Sequence, residues 1–195
     1  VAFDGRLSAP GQVCNITVDN YDGGVQMGTH FREQGYTRAL CVTDSRTAVD
    51  GERVQGFRSA LGGRTVELLE APTESQARRQ FYESHLDQLR SYRAIFALSD
   101  ACAAELMVFL QEKGLRVPED LAVAGFDDSP LCRQVYPPLT SVRQDQGERA
   151  RCAVELLQRF KAGAEAAETI TLPVTLVKRR STVGRLQQRW GRLYP

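Results

Sequence analysis

The chain has 195 residues, of which 42% are hydrophobic and 25% charged, and its formal net charge is +1. This composition is ordinary for a globular protein and is long enough for one domain or two small lobes. The balanced charge lacks the basic excess that a nucleic-acid-binding surface needs. We therefore expect no direct DNA contact by these residues.

The cysteines and histidines restrict the chemistry that the chain can perform. The five cysteines are dispersed and form no C-x-x-C pair, which is typical of reduced thiols in a cytoplasmic protein. The only two histidines, His30 and His85, both fall in predicted helices, so few histidines are available for a metal cluster or a Ser/His/Asp triad. No signal peptide opens the chain, and no apolar run approaches the roughly 20 residues that span a bilayer. We expect no metal, no cofactor and no membrane segment.

The first half of the chain alternates strand and helix patterns. Predicted strands lie at 1–5, 13–18, 38–42 and 66–69, and predicted helices lie at 22–34, 53–61 and 73–92. Asp22 can cap the first of these helices, which Gly35 ends. Thr73 and Gln76 have the spacing of a capping box at the start of the third.

The second half repeats this alternation. Predicted strands lie at 94–98, 121–124, 137–142 and 170–177, with one helix ending at Gly114 and another over 145–162. The inner face of that last helix is predicted to consist of Ala150, Ala153, Val154, Leu157 and Lys161, widened by Leu156 and Phe160. Turn-length connections between the elements predict an α/β fold with a parallel, doubly wound sheet.

Polar side chains follow two of the predicted strands. Asp127 and Asp128 come directly after one apolar run, and Ser99 and Asp100 come after another. Ligands of open α/β sheets gather outside the carboxyl ends of the strands, so these positions are candidates for a binding site. Asp128 precedes Ser129-Pro130, which favours a structural role in capping the next turn. Asp100 can equally cap the helix that follows it.

Arg53 is a second kind of candidate. It is predicted to stand in the first turn of its helix, where a cation opposes the helix dipole by about 0.3–1 kcal/mol. Its position therefore requires an anionic or hydroxylated partner, or full solvation, and the pattern leaves both open. No glycine-rich phosphate loop is present that would indicate a nucleotide site.

Several short segments also occur in a characteristic order. They are Val18-Asp19-Asn20, Arg53-Val54-Gln55-Gly56-Phe57, 95–100 with Ala103, 117–128, 139–145 and 172–182. Together they resemble the effector-binding core of lactose-repressor-type (LacI/GalR family) transcriptional regulators, from the first residue to about Thr182. The resemblance implies a periplasmic-binding-protein-like, two-lobed core that is not an enzyme.

The resemblance also implies a division into lobes of unequal completeness. The predicted parts are a complete C-terminal lobe (36–141 plus 170–180), a partial N-terminal lobe (1–35 plus 142–169) and a basic tail (181–195). The family's helix-turn-helix, hinge and first core elements have no counterpart here, so we expect a fragment of a longer protein. Apolar surface exposed around 1–35 and 145–162 should then lead to self-association or local disorder. The tail is expected to be solvated or disordered, with contact to an anionic partner as the alternative.

The same resemblance assigns roles to individual residues. Arg53 and Asp127 match positions where the family contacts a small-molecule effector. A guanidinium and a carboxylate can bracket two hydroxyls of a sugar with charge-assisted hydrogen bonds. The further candidate contacts are Ser99, Asp100, Arg46 and Asp4. No aromatic platform for a sugar ring is evident near 71–73, which leaves stacking open.

Three functions compete on these observations. The leading hypothesis is a sensor, in which a sugar-like effector binds between the lobes of a homodimer and DNA is bound through a missing N-terminal domain. A periplasmic sugar-binding protein shares the fold but is disfavoured by the free cysteines. A hydrolase using Asp127 and Asp128 as an acid pair is disfavoured because no nucleophile-base pair and no histidine accompany them.

Overall fold

The computed structural model describes residues 1–4, 14–45, 47–62, 65–163 and 169–183. Strands and helices largely alternate along them, but the predicted helix 73–92 is two helices and the short helix after the sixth strand was not predicted. The strands are β1 (Ala2–Phe3), β2 (Asn15–Val18), β3 (Arg38–Thr43), β4 (Thr65–Glu70), β5 (Ala94–Ala97), β6 (Ala122–Asp127), β7 (Thr140–Gln144), β8 (Thr169–Leu172) and β9 (Val174–Val177). The helices are α1 (Asn20–Glu33), α2 (Ala48–Leu61), α3 (Ser75–Ser84), α4 (Leu86–Arg90), α5 (Asp100–Glu112), α6 (Leu131–Gln134) and α7 (Gln146–Lys161).

The described strands form two sheets. The larger has the order β4-β3-β5-β6-β7-β9, and only β9 runs antiparallel to its neighbour. The smaller has the parallel order β1-β2-β8. After β3 the chain adds β4 on one side and then returns to add β5 on the other. This reversal is a topological switch point, and the carboxyl ends of β3, β5 and β6 are where such sheets bind ligands.

Both faces of the larger sheet are covered. Alternate residues of β3 enter different apolar clusters, since Ala39 and Cys41 face one cluster while Leu40 and Val42 face the other. This alternation follows from the two-residue period of a strand. The first cluster also contains Ile16 of the smaller sheet. The continuous apolar runs predicted as buried parallel strands are explained by this double coverage.

The last predicted strand is wrong as a single element. Residues 170–177 form two strands, of which β8 pairs with β2 in the smaller sheet and β9 pairs with β7 in the larger. Pro173 separates them. Proline has no N–H to donate to a ladder, so the chain leaves one sheet and enters the other at that residue.

Helix α1 packs closely on α2. A Cβ at Gly24 would lie 2.1 Å from the carbonyl oxygen of Arg53, and one at Gly56 would lie 2.0 Å from that of Tyr21. Only glycine permits this approach of two backbones. Helix α1, which the predicted division assigns to the partial N-terminal lobe, thus lies against the helix that follows β3 of the larger sheet. The lobe boundaries remain a prediction.

Helix α7 buries a different face from the predicted one. Arg149, Cys152 and Leu156 are buried, whereas Val154, Leu157 and Phe160 are exposed. Apolar residues occupy so much of this helix's circumference that periodicity alone does not fix the inner stripe. Cys152 and Leu156 pack into the apolar cluster that also contains Ile16, and Arg149 makes its polar contacts on the same face of the helix.

The predicted basic tail begins too early. Ser181 is fully buried: its Oγ donates to the carbonyl of Val123 at 2.6 Å and accepts from the N–H of Thr140 at 2.8 Å. Thr182 is also buried and lies 2.7 Å from Nε2 of His30. His30 is thus a packing histidine, and burial lowers its pKa to about 4. Residues 184–195 lie outside the described residues.

Candidate functional site

Arg53 is buried and held from three sides. Its Nε donates to Oδ1 of Asn20 at 2.9 Å, and its Nη1 donates to the carbonyl of Leu98 at 2.6 Å. The guanidinium carbon lies 3.7 Å from the centre of the Phe126 ring. Burial lowers its pKa, and among the charges that oppose this shift Asp127 is the strongest. The alternative of a solvated Arg53 is therefore wrong.

The position of Arg53 in its helix also differs from the prediction. Helix α2 begins at Ala48, because Thr47 and Asp50 form a reciprocal capping box. The backbone N–H of Thr47 donates to Oδ2 of Asp50 at 3.1 Å, and that of Asp50 donates to Oγ1 of Thr47 at 3.3 Å. Arg53 consequently lies in the second turn and not in the first as predicted, so it is beyond the reach of the helix dipole.

Asp127 lies at the end of β6 in a strained backbone conformation. Its φ is 117° and that of Asp128 is 52°, both in a region that side-chain-bearing residues avoid. Oδ1 of Asp127 accepts from Nε2 of Gln144 at 2.5 Å. Burial raises the pKa of Asp127 to about 6 against the opposing attraction of Arg53. The residue is thus a partly desolvated carboxylate without a direct salt bridge among the described residues.

A chain of hydrogen bonds connects Asp127 to the smaller sheet. Oε1 of Gln144 accepts from Nη1 of Arg149 at 2.5 Å, and Nη2 of Arg149 donates to Oδ2 of Asp4 at 2.6 Å. Oγ1 of Thr17 donates to the other oxygen of Asp4 at 3.1 Å. The structure thus brings the predicted residue Asp4 into the same network as Asp127. Phe3, an exposed aromatic on β1, lies beside it, with its ring centre 5.3 Å from the guanidinium carbon of Arg149.

Ser99 and Asp100 have separate structural roles. Ser99 is the N-cap of α5, and its Oγ accepts from the N–H of Cys102 at 3.2 Å, so the capping role considered for Asp100 belongs to Ser99. Asp100 is fully buried and accepts at Oδ2 from the N–H of Ser129 at 2.6 Å and at Oδ1 from Oγ of Ser141 at 2.6 Å. Burial raises its pKa. Asp100 therefore fixes the loop that follows β6.

Asp128 is an ion-paired anchor. Its Oδ2 accepts from Nε of Arg143 at 2.7 Å, its Oδ1 accepts from Arg179, and its N–H donates to Oγ of Ser141 at 3.0 Å. Burial acts to raise its pKa, but the hydrogen bonds from both arginines outweigh burial and hold the pKa below the ordinary value. Asp128 thus has a structural role, but it acts through ion pairs and not by the predicted capping of the next turn, since α6 has no side-chain cap.

Two residues of the network were absent from the sequence candidates. Gln144 ends β7, so the rule that selected the ends of β5 and β6 would have selected it too. Arg149 gave no such signal, because its burial depends on the rotation of α7. Asn20, which orients Arg53, also follows a strand end. Arg46 lies outside the described residues.

The described residues offer neither a metal-binding cluster nor a membrane-spanning helix. Within the described ranges, no group of three or more His, Cys, Asp or Glu side chains could hold a metal ion. None of the helices in those ranges has the length and apolar character needed to cross a bilayer.

Comparison with known proteins identifies the fold. Residues 29–182 match the model of the periplasmic binding protein-like domain. The chain belongs to this family. Among curated relatives, the ribose operon repressor of Haemophilus influenzae is 34% identical over 166 residues, which cover 82% of this chain and 50% of the relative. The repressor PurR of Aliivibrio fischeri is 31% identical over 180 residues, covering 87% of this chain and 53% of the relative. The chain spans about half the length of these relatives.

Solved structures agree with this assignment. A LacI family transcriptional regulator from Enterococcus faecalis with bound ribose superposes with a TM-score of 0.80 at 30% identity, covering 90% of this chain and 65% of the other. A periplasmic binding protein/LacI transcriptional regulator from Alkaliphilus metalliredigens, complexed with D-xylulofuranose, gives a TM-score of 0.83 at 26% identity, covering 93% and 69%. The predicted resemblance to LacI-type effector cores and the periplasmic-binding-protein-like fold are confirmed.

Proposed function

We propose that the chain is the effector-binding domain of a bacterial transcriptional regulator, and that it binds a small sugar-like ligand beside Arg53 and Asp127. The observation that carries this proposal is a fixed guanidinium and a partly desolvated carboxylate that influence each other electrostatically, without a direct salt bridge among the described residues, at the switch point of the larger sheet. Relatives that are repressors, and neighbours solved with ribose or D-xylulofuranose, support the ligand class.

The chemistry of the two groups suits a polyol. A guanidinium only donates hydrogen bonds and an ionised carboxylate only accepts them, whereas a sugar hydroxyl does both. Neighbouring hydroxyls can therefore accept from Arg53 and donate to Asp127, each such bond contributing about 1.5–3 kcal/mol. The exposed ring of Phe3, beside Asp4, is a candidate stacking surface for a sugar ring.

The effector is proposed to act by changing how the two sheets are held together. The network from Asp127 through Gln144 and Arg149 to Asp4 passes from the larger sheet to the smaller one. A ligand that joins this network would favour one relative arrangement, and coupling of this kind typically amounts to about 1–3 kcal/mol. In the whole protein we infer a homodimer that binds DNA through an N-terminal domain and works in the cytoplasm without enzymatic activity.

The alternatives have less support. The curated relatives are transcriptional regulators, which disfavours a periplasmic transport role. The hydrolase hypothesis needs Asp127 and Asp128 to act as an acid pair. Asp128 is instead engaged by Arg143 and Arg179, so it is not available as an acid or a base.

Calorimetry against D-ribose, D-xylulose, cellobiose and a set of nucleobases tests the proposal. We expect at least one sugar to bind, and Asp127→Asn and Arg53→Ala to weaken it at least tenfold, as the loss of one charge-assisted hydrogen bond requires. Arg58→Ala, on an exposed part of the same helix, is the matched control and should bind normally. Unchanged affinity in both site variants would reject the assignment, and binding of nucleobases alone would reject the sugar class.

A further inference from the structure

Arg149 is a buried arginine with an unusual set of partners. It lies in the second turn of α7 and is 8% exposed. Its two terminal nitrogens donate to different sheets, Nη1 to Gln144 at 2.5 Å and Nη2 to Asp4 at 2.6 Å. The third donor, Nε, is buried without a hydrogen-bond partner. Leaving a buried donor unpaired costs stability, so an apolar side chain that filled the same space would suit the packing better than arginine.

The contact with Gln144 fixes the orientation of its amide group. A guanidinium has only donors, so it must face the amide oxygen. The amide nitrogen is then turned the other way and donates to Asp127 at 2.5 Å. A rotated amide would set its NH₂ against the guanidinium and its oxygen against the carboxylate, and both contacts would be repulsive. The cation on one side and the anion on the other therefore select one orientation.

We propose that Arg149 is a positioning residue of the effector site. Its hydrogen bond to Gln144 orients the amide that donates to Asp127, and its hydrogen bond to Asp4 connects the smaller sheet to the same network. The effector part of this inference rests on the proposed function. The orientation of Gln144 does not, because it concerns only contacts within the chain.

The charges around Asp127 set the expected response. Arg53 of α2 and Arg149 of α7 favour its ionised form, Asp100 of α5 opposes it, and Gln144 of β7 donates a hydrogen bond to it. Removing the cation of Arg149 should raise the pKa of Asp127 directly. If Arg149 also orients Gln144, its removal should cost Asp127 that hydrogen bond as well. The two contributions can be separated by measuring the effect of removing Arg149 in a variant that already lacks the Gln144 amide.

A double-mutant cycle on the full chain makes this separation. The ionisation of Asp127 is followed by carbon-13 carboxyl NMR in the unsubstituted chain, in Arg149→Met, in Gln144→Leu and in the double variant. We expect Arg149→Met to raise the titration midpoint by about one pH unit, and the same change to have a smaller effect in the Gln144→Leu background. Equal shifts in both backgrounds, or no shift at all, would overturn the proposal.

Two further variants guard against loss of structure. Arg151→Met removes an exposed cation two residues along α7 and should leave the midpoint unchanged. Arg149→Lys keeps a donor and a charge but cannot bridge two acceptors in the same fork, so an intermediate midpoint is expected. A purely structural arginine would instead lower the thermal unfolding midpoint without a background-dependent change in the Asp127 titration.

Binding of D-ribose is measured on the same variants. If the unsubstituted chain binds it, Arg149→Met should weaken the affinity roughly tenfold, with partial recovery in Arg149→Lys. Unweakened binding in Arg149→Met would contradict the role at the effector site. Failure of the unsubstituted chain to bind any sugar would count against the proposed function, while the titration would still decide whether Arg149 orients Gln144.

Discussion

Asp127 and Asp128 are adjacent in the chain but lie in opposite electrostatic environments. Asp127 is hydrogen-bonded by a neutral amide, and burial raises its pKa to about 6. Asp128 is paired with two arginines, and its pKa is held below the ordinary value. Because one carboxylate is already satisfied and the other is not, a single strand end supplies both an anchor and a binding group. Position at a strand end therefore identifies a carboxylate as a candidate binding group, whereas its hydrogen-bond and ion-pair partners determine whether it binds a ligand or anchors the fold.

Removing the ion-paired carboxylate of Asp128 should have the largest effect on the stability of the fold. Asp128→Ala leaves Arg179 with an uncompensated, mostly buried charge, which we expect to destabilise the fold by about 3 kcal/mol. Urea denaturation of the full chain measures this change. Arg116→Ala, at an exposed ion pair, is the control and should leave the stability nearly unchanged. A similarly small loss in Asp128→Ala would remove the distinction between the two aspartates.

The binding carboxylate should behave in the opposite way. Its folded-state pKa lies above that of an unfolded chain, so its contribution to stability is present at low pH and is lost as the pH rises through about 6. Asp127→Asn should therefore stabilise the fold at pH 7 by about 1–2 kcal/mol and have little effect at pH 4. Denaturation curves at the two pH values measure this stability change. Destabilisation by Asp127→Asn at pH 7 would contradict the prediction.

A smaller effect is expected at the neighbouring strand end. Ser99 caps α5 through its hydroxyl, and Ser99→Ala should cost about 1 kcal/mol of stability. Thermal unfolding measures this, with Ser84→Ala at the exposed end of α3 as the matched control. If Ser99→Ala abolished sugar binding while the stability stayed unchanged, Ser99 would be a ligand contact and not only a cap.

The sequence predicted much of this arrangement, for identifiable reasons. Apolar runs bounded by turn residues located the strands of the larger sheet, and polar residues after them located Asp127 and Asp128. The resemblance to LacI-type cores singled out Arg53. Pro173 signalled the break between β8 and β9 but was not used, because the residues on both sides of it favour strands.

Other features depend on tertiary contacts that no local pattern contains. The capping box of Thr47 and Asp50 moved the start of α2 and with it the helical position of Arg53. The burial of Arg149 depends on Asp4, which is 145 positions away along the chain. Several faces of α7 are apolar enough to be buried, and the observed face is the one on which Cys152 and Leu156 enter the core and Arg149 finds polar partners.

We propose that Asp127 is a ligand-binding group, and that its partial burial as a carboxylate beside the effector site lowers the stability of the fold. The most direct test is calorimetric titration of Asp127→Asn at pH 7 with the sugar that binds the unsubstituted chain most tightly, together with urea denaturation of the same sample. We predict at least a tenfold loss of affinity in a protein that is more stable than the unsubstituted chain. Unchanged affinity, or a loss of affinity accompanied by a loss of stability, would contradict this role of Asp127.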